Sequence, residues 1–323
     1  MLHEPRRATS CCFCGGARLV RTHAAVFHPF KKDHGPFEFH RCADCGSGLT
    51  LEPPSREQLT RLYGSFVDGY AGELREMMAG DPQLAMYRLQ VRRILRHARS
   101  AGGEPRAWID VGAGRGEISR LLAEALPAAK GTAVDLHDRP VTLAGCERVD
   151  WRRVDVNRDD FADAVSARTD LVVSSAVWEH VLRPDRFAAN LLRLLAPGGV
   201  LYLMTPDYGS VARRVFGRRW PYFEPGEHLN MPTLGGAKAC LLRQWRALHG
   251  EGSLPRVRSA PLFLPYTVRY ICRRFGLNAF GALFPAGWAV PVPAGILEAV
   301  LFAPSRDEPH ADARHNSRPD APR

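Results

Sequence analysis

Asp110-Val111-Gly112-Ala113-Gly114-Arg115-Gly116 is the stretch on which the fold turns. A short apolar run, Ala107-Trp108-Ile109, leads into it, and an apolar-periodic stretch from Ile118 to Leu126 leads out. That order predicts a strand, a glycine loop and a helix. Glycine lets the backbone turn tightly after a strand and leaves room for a ligand to approach the main chain. The start of the helix adds free N–H groups and a positive dipole end. A nucleotide-like cofactor is the natural occupant.

The details of the loop narrow the choice. A dinucleotide fingerprint reads G-x-G-x-x-G, and a phosphate loop ends in G-K-[ST]. Here the spacing is G-x-G-x-G, Asp110 stands two residues before the first glycine, and no lysine follows. S-adenosylmethionine (SAM) has no phosphate to cradle. Its amino and ribose groups donate hydrogen bonds and its sulfonium is positive, so acids suit it. On these residues the sequence resembles the class I SAM-dependent methyltransferases, whose first motif is an apolar strand ending in [DE]-x-G-x-G-x-G.

Downstream positions agree with that resemblance. Gly131-Thr132-Ala133-Val134-Asp135 reads as the second strand, and its terminal acid stands where a carboxylate would hold a ribose diol. Val154-Asp155-Val156 reads as the end of the third strand; in the family an acid there commonly takes the adenine amino group. Asp170 to Ser175 is a fourth strand, followed by Ala176-Val177-Trp178-Glu179-His180-Val181. Leu194 to Leu203, with Pro197-Gly198-Gly199 inside it, reads as a helix end, a turn and a fifth strand. The E-H-V and L-x-P-G-G signatures recur in the family's small-molecule branch. The expected fold is α/β: a Rossmann-like seven-stranded doubly wound sheet with helices on both faces, plus a small N-terminal zinc ribbon. The expected cofactor-binding residues are Asp110, Gly112, Gly114, Gly116, Asp135, Asp155, Val156 and Ser175.

The ribbon is read from Cys11-Cys12-Phe13-Cys14-Gly15 and Cys42-Ala43-Asp44-Cys45-Gly46, two C-x-x-C-G knuckles. Two such knuckles supply the four thiolates of a tetrahedral zinc site, and four thiolates leave no open position for chemistry. Cys11, Cys14, Cys42 and Cys45 are the expected ligands of a structural zinc. Register alone does not separate Cys11 from Cys12, and His40 is a distant substitute. Phe27, Phe30, Phe37 and Phe39 are available to cover a minimal core. A zinc ribbon followed by P-P-S-x-E-Q-L-x-x-L-Y and a Tyr-bearing loop, Tyr63 to Tyr70, resembles a branch of methyltransferases with an N-terminal ribbon. Many of its members act in secondary-metabolite, deoxysugar or cell-surface glycan pathways. This resemblance covers residues 8–235; it speaks to fold and cofactor rather than to substrate.

The chain has 323 residues and a net charge of +10, from 44 Lys+Arg against 34 Asp+Glu. That length suits one sizeable core plus a small unit. The basic balance admits nucleic acid, a membrane surface or acidic substrates as partners. Residues 1–10 are polar and no apolar run follows, so a cytoplasmic chain is expected, where cysteine pairs bind metal rather than form disulfides. The expected organisation is a ribbon over 1–50, a helical linker and leading helix over 51–104, and a SAM-binding domain over 105–303. Within that domain, a lid or insertion is expected near 206–232 and near 261–296, and residues 304–323 read as a disordered tail. In the linker, Ser55 and Gln58 form a capping-box pattern for a helix running to about Tyr63. In the leading helix Leu84, Tyr87, Val91, Ile94, Leu95 and Ala98 make an apolar stripe, and Arg88, Arg92, Arg93, Arg96 and Arg99 crowd the other faces. The arginines read as a solvated face, the alternative being a phosphate-docking surface.

Past the fifth strand, Met204-Thr205-Pro206-Asp207-Tyr208 ends at the carboxyl edge of the sheet, where open sheets bind ligands. The segment Arg218 to Asn230 carries the Pro, Gly and aromatic content of a functional loop. A helix is expected from Leu234 to His249, capped by Thr233, with a sixth strand at 255–260 and a seventh at 297–302. Phe275 to Ala303 is nearly all apolar, but Pro285, Pro291 and Pro293 interrupt it. It reads as a substrate cover plus a buried last strand, with peripheral membrane contact or an oligomer interface as the alternatives.

Methyl transfer from SAM is an in-line displacement in which the protein mainly aligns the reactants. A hydroxyl or acidic-carbon acceptor also needs a base, and histidine matches neutral pH. His180, after the fourth strand, and His228, in the lid, are the catalytic candidates. Glu179 and Glu227 are placed to orient them or to bind SAM, and Tyr208 and Tyr222 to line the acceptor pocket. The leading reading is therefore a methyltransferase acting on an oxygen or carbon of a small molecule. An RNA or other macromolecule methyltransferase is the second, although no N-P-P-[YF] motif and no catalytic cysteine motif follows the fourth or fifth strand. A non-catalytic SAM-binding partner is the third.

Overall fold

A computed structural model describes residues 9–26, 35–55, 57–59, 82–165 and 167–305. Phe27, Phe30, the Tyr63–Tyr70 loop and the proposed tail from 306 onward lie outside the described residues.

The large sheet has seven strands in the order β10-β11-β8-β7-β4-β5-β6. β4 (Ala107–Val111), β5 (Lys130–Asp135), β6 (Val149–Arg153), β7 (Thr169–Ser175) and β8 (Leu195–Pro206) run parallel. β10 (Arg256–Thr267) and β11 (Ala289–Phe302) close the edge as an antiparallel hairpin against β8. Central parallel strands covered on both faces must be apolar throughout, as Ala107-Trp108-Ile109 and Leu171-Val172-Val173 are. Alternation then splits the side chains between two cores. Trp108, Leu171, Val173, Val200 and Tyr202 point to one face. There they meet α1 (Pro82–Gly102), through Val91, Ile94, Leu95 and Ala98, and α2 (Glu117–Ala125). Ile109, Val111, Val172, Leu201 and Leu203 point to the other face, where α3 (Phe161–Val165), α4 (Pro184–Arg193) and α6 (Leu234–His249) pack.

The arginines of α1 do not form one solvated face. Arg93 turns inward: its Nε donates to Glu298 Oε2 at 2.9 Å, and Tyr202 Oη lies 3.2 Å from the same oxygen. Glu298 is 4% exposed, and His97 Nε2 stands 3.5 Å from its Oε1. Burial pushes this carboxyl up, but His97 and Arg93 outweigh it and hold it at about 2. The pair fastens α1 to β11 across about two hundred residues of chain.

The N-terminal unit is a second sheet of order β1-β2-β3-β9. β1 (Leu19–Val26), β2 (Phe37–Cys42) and β3 (Gly48–Thr50) come from the cysteine-bearing stretch, and β9 (Asn230–Met231) comes from the segment after β8. Cys11, Phe13, Cys42, Leu49 and Leu51 belong to the same buried cluster as Ile109, Val172 and Leu201, and the Phe13 ring meets Trp178 edge-on at 5.5 Å. The small sheet therefore shares a core with the large one.

The outer hairpin departs from the sequence reading. The sixth and seventh strands, expected over 255–260 and 297–302, extend to Thr267 and back to Ala289. Of the insertion expected near 261–296, only residues 268–288 leave the ladder. Two of the three prolines read as breakers pair in the ladder instead, Pro291 opposite Pro265 and Pro293 opposite Phe263, with an irregularity at Leu262/Phe263, while Pro285 lies in the tip between the strands. An outer hairpin tolerates proline because its strands need fewer ladder donors than a central strand. The helix at Leu234–His249 forms as expected, Thr233 Oγ1 accepting from Gly236 N at 3.0 Å. The capping box is present as well: Gln58 N donates to Ser55 Oγ at 3.2 Å, and Ser55 N to Gln58 Oε1 at 2.7 Å.

Candidate active site

A cavity of about 540 Å³ opens at the carboxyl ends of β4, β5 and β7. Gly112, Gly114, Asp135, Asp155, Val156 and Ser175, six of the eight residues the sequence assigns to the cofactor, line it. Gly114 has φ +54°, and a Cβ there would meet no atom within 4 Å, so the loop presents bare backbone to open space. Gly112, at φ +74°, is different: a Cβ would lie 2.3 Å from Val177 Cγ2. Asp135 Oδ2 accepts from Gly114 N at 2.8 Å, and its Oδ1 accepts from His137 N at 3.0 Å. The His137 ring Nδ1 lies 2.8 Å from the same Oδ1, so the carboxylate is fixed and Oδ2 keeps one further lone pair. Asp155 Oδ1 accepts from Asn157 N at 2.8 Å, which holds the third strand tip in place. Ser175 Oγ accepts from Gln90 Nε2 at 2.7 Å.

Asp110 and Gly116 stand behind the loop rather than in the cavity. Asp110 is 1% exposed and its Oδ2 accepts from Ser119 Oγ at 2.6 Å, tying β4 to α2. Burial, with the charges of Asp135 and Glu117, raises its carboxyl to about 7 even though the Ser119 hydrogen bond opposes it. Asp110 is thus a structural acid that positions the glycine loop. Glu117, which the sequence reading passed over, lines the cavity one residue after the last glycine and pairs with Arg115 at 2.9 Å. An acid at the first helical position was the available signal, since it also complements the dipole. Glycine backbone, acids on successive strand tips and a cavity of this size together fit an adenosyl ligand with a cationic tail.

The E-H-V turn and the segment 222–230 form the far wall. Glu179 O accepts from Leu229 N at 2.7 Å, and Asn230 Nδ2 donates to Val181 O at 3.0 Å, so the two segments are stapled together. His180 and His228, 48 residues apart in sequence, face each other with ring centroids 4.7 Å apart. His180 Nδ1 donates to Glu227 O at 3.1 Å and His228 Nδ1 donates to Tyr222 O at 2.6 Å. A carbonyl can only accept, so both Nδ1 atoms carry protons and both Nε2 atoms keep lone pairs when the rings are neutral. Burial, reinforced by His228, lowers the His180 pKa to about 3. His228 Nε2 instead lies 3.6 Å from Glu224 Oε2. Glu179 is buried, its carboxyl raised by burial, and its Oε2 accepts from Thr205 Oγ1 at 2.8 Å.

Two orienting roles differ from the sequence reading. Glu227 accepts from His180 through its backbone carbonyl while its carboxylate adds a charge that favours the imidazolium, Glu179 Oε1 lies 3.9 Å from His180 Nε2, and the acid beside His228 Nε2 is Glu224. Tyr222 lines the cavity, its hydroxyl 3.1 Å from that of Tyr266. Tyr208 does not reach it. It is buried against Phe39 at 5.4 Å and lies under the Arg213 guanidinium. Glu179, His180 and His228 bring one donor atom each within 4.8 Å of one another, a set that a proton or a divalent cation can bridge.

The cysteine cluster assembles Cys11, Cys14, Cys42 and Cys45 with their sulfurs within 4.8 Å of one another. Cys11 Sγ–Cys45 Sγ and Cys14 Sγ–Cys42 Sγ are each 3.6 Å. Zinc–thiolate bonds of about 2.3 Å in a tetrahedron space the sulfurs about 3.7 Å apart, so the donors fit zinc. Gly16 N donates to Cys14 Sγ at 3.4 Å, an outer hydrogen bond of the kind that steadies a ligand. Cys12 is excluded: its thiol points to Asn230 Oδ1 at 3.7 Å, and its carbonyl accepts from Arg243 Nη2 at 2.6 Å. His40 stays on β2 near Glu38, away from the cluster.

Comparison with known proteins agrees with this geometry. A family model described as "Methyltransferase domain" matches residues 84–242. The malonyl-[acyl-carrier protein] O-methyltransferase of Halalkalibacterium halodurans is 33% identical over 116 residues, 34% of this chain and 43% of that protein. The ubiquinone biosynthesis O-methyltransferase of Dechloromonas aromatica is 30% identical over 103 residues, 30% of this chain and 43% of that protein. The chain thus spans less than half the length of these curated relatives. Among solved structures, the plantazolicin methyltransferase BpumL, bound to a monoazolic substrate analogue and SAH, superposes with a TM-score of 0.50 at 14% identity. That match covers 77% of this chain and 95% of the other, and it speaks to the fold alone. Residues 84–242 are thus similar to a methyltransferase domain, on a fold shared with a solved methyltransferase.

Proposed function

We propose that the chain transfers a methyl group from SAM to an oxygen or carbon of a small molecule, a natural product, sugar or glycan precursor. One observation carries the reading: the glycine loop with its strand-tip acids and the paired imidazoles line a single cavity. The matched relatives named above are O-methyltransferases, which supports an oxygen acceptor. Bound SAM would supply an electrophilic methyl on a neutral leaving group.

The chain's own residues do the rest. Asp135 takes the ribose hydroxyls, and Asp155 with Val156 and Asn157 takes the adenine end. Glu117 and the Gly112–Gly114 backbone flank the amino-acid tail. His228 accepts the acceptor's proton at Nε2, and Glu224 stabilises the imidazolium that forms. His180 stays neutral, because its environment opposes a charge, and offers its Nε2 lone pair to orient the acceptor hydroxyl. The hydrogen bonds from both Nδ1 atoms fix the ring orientations this requires. Zinc in the four-cysteine cluster is structural in this reading, holding the small sheet against the shared core.

The test uses product mass spectrometry with isotope-labelled SAM and a panel of hydroxyl-bearing and acidic-carbon acceptors. A labelled product that His228→Ala abolishes, with SAH still bound, supports the reading. Transfer that survives in both His228→Ala and His180→Ala refutes the base assignment.

A further inference from the structure

The tip of the β10–β11 hairpin, residues 268–288, carries large apolar side chains that the fold does not bury. Leu283 is 77% exposed, and Phe275, Leu277, Phe280 and Trp288 are each 51–53% exposed. Contiguous apolar patches are uncommon on soluble surfaces and mark contacts with a partner or a membrane. This tip is also built. α7 (Val268–Arg274) is capped by Thr267 Oγ1, which accepts from Tyr270 N at 3.2 Å. Arg269 Nε donates to Phe284 O at 2.7 Å, and Phe284 packs between Phe280 and Trp288 with ring centroids 5.2 Å apart on each side. Tyr270, Cys272 and Gly281 are buried beneath. A structured base therefore holds the apolar side chains outward.

Next to the tip lies α5 (Val211–Phe216), whose Phe216 ring meets Phe275 at 5.0 Å. Its Val211 and Val215 are exposed as well. The charge on these two segments has one sign. Residues 268–288 contain Arg269, Arg273 and Arg274, and residues 211–219 contain Arg213, Arg214, Arg218 and Arg219. Neither segment contains an aspartate or glutamate.

We propose that this tip, with α5, is a peripheral docking surface for an anionic lipid bilayer. Exposed leucines and aromatics beside arginines are the composition that seats an element at a headgroup boundary, the apolar groups entering the acyl region and the guanidiniums meeting lipid phosphates. Two other occupants fit less well. A second copy docking by the same face would press arginines on arginines. A nucleic acid would satisfy the arginines but offers no apolar phase to Leu277, Leu283, Val211 and Val215. The contact is a surface one, because no helix among the described residues is long and apolar enough to cross a membrane. It is also narrower than the 275–303 expected from sequence, since residues 295–303 are buried in the sheet. The inference does not depend on the proposed function, although the same two strands line the cavity through Leu264, Tyr266 and Ile296.

The full chain is sedimented with large unilamellar vesicles of phosphatidylcholine, with and without phosphatidylglycerol. We expect binding to favour the anionic vesicles by about tenfold or more, to fall with salt, and to drop about tenfold in Leu283→Ser/Trp288→Ser. Melting temperature and SAH affinity of that variant should match the parent, which separates failure of docking from failure of the cofactor site. Equal weak binding to both vesicle types overturns the proposal. So does anionic binding that the double variant retains. A vesicle-free dimer that the double variant dissociates would assign the tip to a second copy, and salt-sensitive RNA binding lost in the same variant would assign it to nucleic acid.

Discussion

Replacing Gly112 and Gly114 separately by alanine should give opposite phenotypes. Both positions have positive φ, +74° and +54°, so each alanine incurs the left-handed backbone penalty of about 1–2 kcal/mol. At Gly112 the new Cβ would also stand 2.3 Å from Val177 Cγ2 and 3.0 Å from its Cγ1, side-chain atoms of the turn that follows the neighbouring strand β7. Overpacking of that kind adds about 1–3 kcal/mol, so Gly112→Ala should lose about 2–5 kcal/mol of stability. At Gly114 no atom lies within 4 Å, so the stability loss should stop at the backbone term. Its methyl group would instead occupy the space in which a ligand meets the main chain. SAH affinity should therefore fall about tenfold to a hundredfold, the equivalent of about 1.4–2.8 kcal/mol. Urea denaturation gives the stability and isothermal titration with SAH gives the affinity. Wild-type SAH affinity in Gly114→Ala would refute the claim that the ligand seats against this loop. Equal destabilisation by the two substitutions would refute the packing argument.

Three further predictions concern the core, the wall and the ribbon. Glu298→Gln should destabilise the chain at neutral pH. The native carboxyl sits at about 2 against an ordinary 4.5, so its stabilisation is present above pH 4.5 and is lost as pH falls toward 2. The full shift corresponds to about 3 kcal/mol, and about 2 kcal/mol after allowance for partial solvent screening. Parallel urea titrations of both chains should therefore show the gap at pH 3 shrunk to less than half of its size at pH 7; a constant gap would contradict the assignment. For the wall, His228→Ala should lower kcat by about a hundredfold to ten-thousandfold while SAH affinity stays within about twofold. His180→Ala should cost at least about tenfold less in kcat, and the reverse order in steady-state assays would exchange the two roles. In the ribbon, elemental analysis should find one zinc per chain, lost in Cys42→Ser. Because Cys11 and Cys42 share the core of the large sheet, removing zinc by chelation should lower the melting temperature of the main transition. An unchanged transition would show that the ribbon is energetically separate.

The parallel half of the large sheet was legible because its strands are local signals. Apolar runs end in Gly112, Asp135, Asp155 and Ser175 at normal loop spacing, and each of those residues lines the cavity. Asp110 was misplaced because sequence gives its position on the strand but not the face to which it points. Alternation with Ile109 and Val111 sends it under the loop, to Ser119. The four-cysteine cluster was legible from spacing, and only the packing of Cys12 on Asn230 shows which cysteine of the first knuckle joins it. Long-range pairs were not legible. The Arg93–Glu298 pair and the His180–His228 contact join residues whose proximity depends on the whole sheet order. The outer hairpin was underread because Pro291 and Pro293 were taken to interrupt the apolar stretch, whereas they pair opposite Pro265 and Phe263 in an outer ladder.

Calorimetric titration of the folded, zinc-loaded chain with SAH and with SAM is the most direct test of the central claim, that bare glycine backbone and strand-tip acids form an adenosyl site. The account predicts one site per chain for each ligand, with affinity sharply reduced in Asp135→Ala and retained in His228→Ala. No heat with either ligand, or a Kd unaffected by Asp135→Ala, would contradict it.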